Sequence, residues 1–253
     1  MMRFASMGSG SRGNAMVVEA GATRVLVDCG FGPRQLERRL ARLDLVPEDL
    51  DAIVVTHEHS DHVGGVWRAA ARYRLPVHMT HGTFAAAAVP AAGVELFDSH
   101  TPFAVGDLEI FPFPVPHDAR EPVQFVFADG RSRCGVLTDT GHVTAHAIDM
   151  LRTCAALVVE CNHDADMLAR GSYPRALKQR IAGRFGHLDN GAAADLLRRL
   201  GASHLQHVVC AHLSQENNTP ELAKAALAQA LGCTPDWIVA ADQDNGCGWL
   251  SLV

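Results

Sequence analysis

Thr56-His57-Glu58-His59-Ser60-Asp61-His62 packs three imidazoles and two carboxylates into seven residues, directly behind the apolar run Ala52-Ile53-Val54-Val55. A β-branched run, then polar residues, then Gly64-Gly65 and an apolar helical pattern reads as strand, loop and helix. The polar side chains therefore sit in a turn at the carboxyl end of a strand, where they can converge on one point. His57 and His59 can face one ion while Asp61 and His62 turn to its neighbour, so a single loop can serve a pair of metals. The competing reading is a polar surface turn rich in His, but H-x-H-x-D-H after a buried strand is far more specific than a lone His pair.

The 253 residues suffice for one large domain or two small ones, and the even spread of apolar residues favours a single domain over 1–253. A hydrophobic content of 48% supports a sizeable core. The longest apolar runs fall short of a membrane span, and Met1-Met2-Arg3-Phe4-Ala5 lacks an apolar secretory core, so a soluble cytoplasmic protein with no membrane partner is expected. Seven Cys without a C-x-x-C fit a reducing compartment, and Cys161 reads as a small buried hydrophobe at a strand end. The net charge of −6 means that any contact with a nucleic acid must be local.

Gly8-Ser9-Gly10-Ser11-Arg12-Gly13 formally matches a dinucleotide fingerprint, but a β-hairpin over Ala15–Ala20 and Arg24–Asp28 follows it where a helix is required. The glycine loop is either a plain tight turn or a device that lets Ser9, Ser11 or Asn14 approach the metal site or a substrate anion. Further helices are expected over Pro33–Leu43, Val63–Arg74, Gly82–Ala88, Ala145–Arg152, Ala165–Ala169, Pro174–Ala182, Asn190–Leu200 and Pro220–Leu231. Strands are expected over Arg3–Ser6, Pro76–Thr80, Val94–Phe97, Leu108–Phe113, Val123–Ala128, Arg133–Thr138, Ala156–Glu160, His207–Cys210, Trp237–Ala240 and Gly248–Leu252. Several end in polar residues: His117, Asp139, Glu160 with His163, and His212. His78, His81 and His100 read as ordinary strand-end or surface histidines.

His57-x-His59-x-Asp61-His62 is similar to the signature of the metallo-β-lactamase fold superfamily, which implies a four-layered α/β/β/α sandwich. The resemblance implies that His117 completes the first metal site with His57 and His59, that Asp139 bridges, and that His212 completes the second site with Asp61 and His62. Within the superfamily the chain resembles the YycJ family, also called WalJ or VicX, from end to end. The likeness is carried by Gly8-Ser9-Gly10-Ser11-x-Gly13-Asn14, Asp28-Cys29-Gly30, the His57 loop, His117-Asp118-Ala119, Glu160-x-Asn162-His163-Asp164, Ser172-Tyr173-Pro174, Gly186-His187-Leu188 and His212-Leu213-Ser214-x-Glu216-Asn217-Asn218. It departs from the usual pattern at Asp189, where a Ser is expected. The resemblance implies exonuclease-like or phosphodiesterase-like hydrolysis.

Two divalent ions held by His and carboxylate lower the pKa of a bridging water and clamp the attacking and leaving oxygens of a phosphodiester. Without Cys among the donors, Zn leads, with Mn or Fe as alternatives. By position Glu160 and His187 resemble the proton-shuttle pair of tRNA-maturing relatives; the other reading is a strand-end salt link and a capping loop. Asp61 serves both the metal and the chemistry, and His163 is read either as a support behind the ligands or as substrate-facing, and as the reserve ligand. The segment 170–184 carries four Arg, one Lys and no acid, so Tyr173, Arg175 and Lys178 are candidate contacts to a nucleic acid or other phosphodiester, or else a solvated basic face. Two alternative functions remain: a hydrolase of small thioesters, lactones or other esters, and a di-iron redox protein, which would need a flavin partner domain.

Overall fold

The computed structural model describes residues 1–87, 93–201 and 204–253; Ala88, the expected end of a helix, lies outside the described residues. The strands β1 (Met2–Gly8), β2 (Ala15–Ala20), β3 (Thr23–Val27), β4 (Ala52–Val54), β5 (Val77–Thr80) and β6 (Val94–Phe97) stand side by side in chain order in a first sheet. A second sheet holds β7 (Phe103–Val105), β8 (Leu108–Pro114), β9 (Val123–Ala128), β10 (Arg133–Leu137), β11 (Ala156–Glu160), β12 (His207–Ala211) and β13 (Val239–Ala240). β14 (Leu250–Ser251) returns to pair with β1 on the edge of the first. β3 to β6 run parallel, as do β10 to β13, whereas β1 to β3 and β7 to β10 are antiparallel.

Strand periodicity explains the layers. Ile53 and Val55 pack outward with Leu36 and Leu40 of α1 (Pro33–Ala41), while Val54 between them points to the other side of its sheet. There it joins Phe4, Val18, Phe125, Phe127 and Val136 in a core that both sheets share. Leu137 and Val159 point away from that core toward helices on the far face of the second sheet. Because both faces of the central strands are covered, they read as nearly continuous apolar runs. Each fully buried aromatic, such as Phe125 or Phe127, contributes about 1.5–3 kcal/mol. The result is the expected four-layered α/β/β/α sandwich.

The first sheet carries α1, α2 (Ser60–Val63), α3 (Val66–Tyr73) and α4 (His81–Ala87). The second half adds α5 (Ala145–Leu151), α6 (Ala165–Arg170), α7 (Arg175–Ile181), α8 (Asn190–Leu200) and α9 (Pro220–Leu231). The last two begin and end where the sequence placed them, because Asp189 and Thr219 cap them through Ala192 N and Leu222 N. Asp189 thus supplies the side-chain oxygen that the expected Ser would have offered. The single helix expected over Val63–Arg74 is broken at Gly64-Gly65, where the backbone of Gly65 lies so close to the carbonyls of Phe31 and Cys29 that a Cβ would overlap them. Pro174 caps α7 instead of opening it, and α7 buries no side chain. β7 was not expected, being only three residues long, and Trp237 belongs to a 3-10 turn ahead of β13. His78 is no surface residue: it lies buried in β5 with its ring stacked on Phe103 at 5.3 Å. Among the described residues no helix is long and apolar enough to cross a membrane.

Candidate metal centre

The polar residues of interest follow the carboxyl ends of β3, β4, β8, β10, β11 and β12, so the topology delivers them to one end of the sandwich. The loop after β4 is clamped from several sides. Asp28 accepts from Thr56 N and Thr56 Oγ1, each at 2.8 Å, and from His62 Nδ1 at 2.7 Å. The Asp61 carbonyl accepts from Asn14 N, and the His62 carbonyl from Cys29 N, both at 2.8 Å. Glu58 turns away, with Oε1 accepting from Arg120 N at 2.7 Å, so Asp61 is the heptapeptide carboxylate that reaches the cluster.

The second sheet supplies His117, Asp139, Glu160 and His212, and the turn ahead of α8 supplies His187. Asp28, Asp139 and His212 all adopt positive φ (58°, 52° and 55°), a conformation that costs an L-residue roughly 1–2 kcal/mol. Such outliers persist where the surroundings over-determine them. For His212 the cause is visible: its amide donates to Ser9 Oγ at 2.8 Å and its Nδ1 to Glu160 Oε1 at 2.9 Å.

Among the described residues, four sets of donor atoms lie mutually within 4.8 Å: His57, His59 and His117; Asp61, His62 and His212; His57, His62 and Asp139; and Asp139, Glu160, His187 and His212. Asp139 stands in two of them and links the first two sets to each other. The hydrogen bonds behind the rings decide which atoms face inward. Thr56 Oγ1 gives its proton to Asp28, so it accepts from His57 Nδ1 at 2.9 Å. His62, His117 and His212 likewise donate through Nδ1, to Asp28, to the Gly186 carbonyl (3.1 Å) and to Glu160. Each therefore turns Nε2 to the centre. His59 is reversed: Nε2 donates to the Asp118 carbonyl at 3.2 Å, and Nδ1 lies 3.3 Å from His117 Nε2.

His57 Nε2, His212 Nε2 and Asp139 Oδ2 are buried without a hydrogen-bond partner. Leaving such an atom unpaired costs about 1–3 kcal/mol. Cations in the two donor sets satisfy all three, His57 Nε2 in one, His212 Nε2 in the other and Asp139 Oδ2 open to both, so the residues fit divalent metals. The electrostatics agree. Burial, together with the neighbouring His62 and His117, pushes His57 down and keeps it neutral. Burial also opposes charge on His62 and His212, yet Asp139 and the other carboxylates outweigh it and hold both rings above the ordinary imidazole range, His212 at about 10. Asp61 and Glu160 are held well below the carboxylate range; burial opposes this, and the facing imidazoles prevail. Positive charge is thus stabilised around His62 and His212, whereas burial pushes His117, like His57, down.

Glu160 is fully buried and saturated. Oε1 accepts from His187 Nδ1 (2.8 Å) and His212 Nδ1, while Oε2 accepts from Thr140 N and Leu188 N at 3.1 Å each. Its bond to His187 joins the two residues paired in the sequence as a proton shuttle, and the same oxygen holds His212. Asn14 lies in the site, with Nδ2 3.2 Å from Asp61 Oδ2 and 3.1 Å from His62 Nε2. Ser9 reaches the site, whereas Ser11 is exposed on the glycine turn. His163 is buried with an unpartnered Nδ1 but belongs to none of the four sets. The basic segment is partly occupied: Lys178 donates to the Ala169 carbonyl at 2.8 Å and Arg180 pairs with Asp118 at 2.7 Å. Tyr173 is half-buried and Arg175 exposed. Cys161 is buried in the outer core of the second sheet, its thiol pushed up by burial. Asp28 belongs to a segment that carries the family likeness, but its role was missed; the physical signal was a carboxylate directly after a buried strand.

The Beta-lactamase superfamily domain matches residues 23–212, so the chain belongs to the β-lactamase superfamily. The protein named Exodeoxyribonuclease YycJ from Bacillus anthracis is 34% identical over 235 residues, 91% of this chain and 89% of that one. Exodeoxyribonuclease WalJ from Streptococcus pneumoniae serotype 2 is 34% identical over 236 residues, 90% and 88% of the two chains. Within the superfamily the chain is a member of this YycJ/WalJ family. The fold is shared with the metallo-beta-lactamase fold protein YhfI from Bacillus subtilis, at a TM-score of 0.77 and 15% identity over 98% of both chains.

Proposed function

We propose that this protein is a two-metal phosphodiesterase that removes nucleotides from an end of a nucleic acid, working in the cytoplasm as one domain over residues 1–253. The observation that carries the reading is the linkage of two His-rich donor sets through Asp139. The YycJ and WalJ relatives, named exodeoxyribonucleases, align over nine-tenths of the chain and support the substrate class. A core containing both Met2 and Leu252 supports the single domain, and free cysteines throughout suit a reducing compartment.

His57, His59 and His117 would hold one ion, Asp61, His62 and His212 the other, with Asp139 shared. The nitrogen and oxygen donors favour zinc, with manganese or iron as alternatives. Bound there, the ions supply Lewis-acid activation of water and neutralise phosphate charge. The chain does the rest. Asp61, steadied by Asn14, would accept a hydrogen bond from the attacking water and orient it; held so far below the ordinary carboxylate range, it does not keep the proton. His187 keeps 18% of its side chain exposed and commits Nδ1 to Glu160, so Nε2 is the atom that meets the leaving oxygen. Burial opposes protonation of His187, but Glu160 overrides it and raises its pKa, which suits a general acid. Arg175 and Tyr173 would follow the strand, Lys178 would join by releasing Ala169, and His163, whose Nδ1 is buried without a partner, would be a substrate-facing residue.

The test is metal analysis of the protein, then assay on 5′- and 3′-labelled single- and double-stranded DNA and RNA. Stepwise loss of mononucleotides from one end is expected. Hydrolysis of a thioester or lactone by the metal-loaded protein, with no phosphodiester cleaved, would overturn the reading.

A further inference from the structure

Phe185 is 57% exposed, yet it sits on a backbone that is anything but loose. Gly186 N bonds to Gly183 O at 2.9 Å, closing a turn whose two corners are Arg184 and Phe185. That turn is pinned to the metal centre along its length. The Phe185 carbonyl accepts from Asp118 N at 3.1 Å, the Gly186 carbonyl holds His117 Nδ1, and His187 N bonds to the Ile181 carbonyl at 2.8 Å. Gly141 packs so closely on Arg184 and Phe185 that a Cβ there would meet the Phe185 amide nitrogen at 2.5 Å. The turn is therefore fixed between a candidate metal ligand and the candidate general acid. It still shows solvent a large apolar ring, with the exposed Arg184 beside it.

Leaving a phenyl ring in water forgoes roughly 1.5–3 kcal/mol of burial, and isolated exposed aromatics are common on surfaces. What separates Phe185 from those is its place: a ring on a rigid turn, cationic on one side, next to the groups that would handle a phosphate. A nucleotide whose phosphate lies over the donor cluster must put its base close by, and every base offers a π-face. We infer that Phe185 is the stacking platform for the base of a nucleotide flanking the scissile bond, with Arg184 available to an adjoining phosphate. The inference rests on the nucleic-acid reading above and assigns a residue to substrate choice. Stacking is indifferent to base identity, so the platform favours a base over none without selecting among the four.

The experiment is a double-mutant cycle between Phe185 and the base. Wild type, Phe185→Ala and Phe185→Trp are assayed on oligonucleotides carrying a single abasic site at each nucleotide flanking the scissile bond, and on the intact parent. Removing the stacked base is expected to raise KM about tenfold for wild type and Phe185→Trp, and to cost Phe185→Ala far less, because that variant has already lost the partner. Metal content and melting temperature, read on the same samples, exclude a misfolded variant. An equal abasic penalty in all three proteins overturns the stacking platform while leaving phosphodiester cleavage intact. No cleavage of any oligonucleotide by metal-loaded wild type overturns the function reading, and the platform with it.

Discussion

The first sheet offers His57, His59, Asp61 and His62 from one loop and the short helix α2 that follows it, whereas the second delivers His117, Asp139 and His212 one per strand end and adds His187 from a turn. The two halves are consequently held by different means. The loop keeps its shape through local bonds: Asp28 grips Thr56 and His62, and Asn14 grips Asp61. The second set depends on the register of β10, β11 and β12, and on Glu160 gathering His187, His212, Thr140 and Leu188 from separate segments. A contiguous motif supported locally should fail locally. A dispersed set joined through Asp139 should fail as a whole.

The sharpest break is Asp139→Ala. Because Asp139 stands with His57 and His62 on one side and with His212 on the other, both ions should be lost and cleavage should fall more than about 100-fold, beyond the loss of an outer-shell partner. His59→Ala, by contrast, should cost one ion, so metal counts on the two variants separate the halves. Equal losses would erase the distinction. His187→Ala comes next: both ions should stay while kcat drops by roughly 10²–10⁴. Loss of metal in that variant would make His187 structural.

Asp28→Asn probes the local support of the loop. Ion affinity should weaken about 10–100-fold, and an unchanged affinity would mean that β3 does not hold the loop. The mildest test alters no residue. In the metal-free protein burial resists charge on His62 and His212 but Asp139 and its fellow carboxylates keep both protonated, His212 to about 10. A metal can bind only as these protons leave, so affinity should climb as pH rises toward 10, by at most about tenfold per pH unit for each proton displaced. Titration calorimetry in buffers of different ionisation enthalpy reads the proton release, and identical heats in both would contradict it.

The same contrast governs what could be read in advance. The His57 loop declares itself because its donors are neighbours in sequence and sit behind a β-branched run, and α8 and α9 because Asp189 and Thr219 mark their starts. The family resemblance, borne out by the YycJ and WalJ alignments, was needed to single out His117, Asp139 and His212. No spacing rule links residues that meet only through sheet register. Asp28 carries part of the likeness, but its role went unread because its bond to His62 links the ends of two strands. That Glu160 also holds His212, Thr140 and Leu188 could not be read, because a carboxylate at a strand end carries no sign of how many donors will reach it. The break at Gly64-Gly65 depends on the Phe31 carbonyl, which is remote in sequence.

The central claim is a pair of ions linked through Asp139, and a crystal structure of the metal-loaded protein with anomalous data collected at the metal edge tests it most directly. Two peaks are expected. One should be bound by His57 Nε2, His59 Nδ1 and His117 Nε2, and the other by Asp61, His62 Nε2 and His212 Nε2, with Asp139 between them and ligand distances of about 2.0–2.2 Å if the metal is zinc. A single peak, or a second ion bound by His163 in place of His212, would contradict the account.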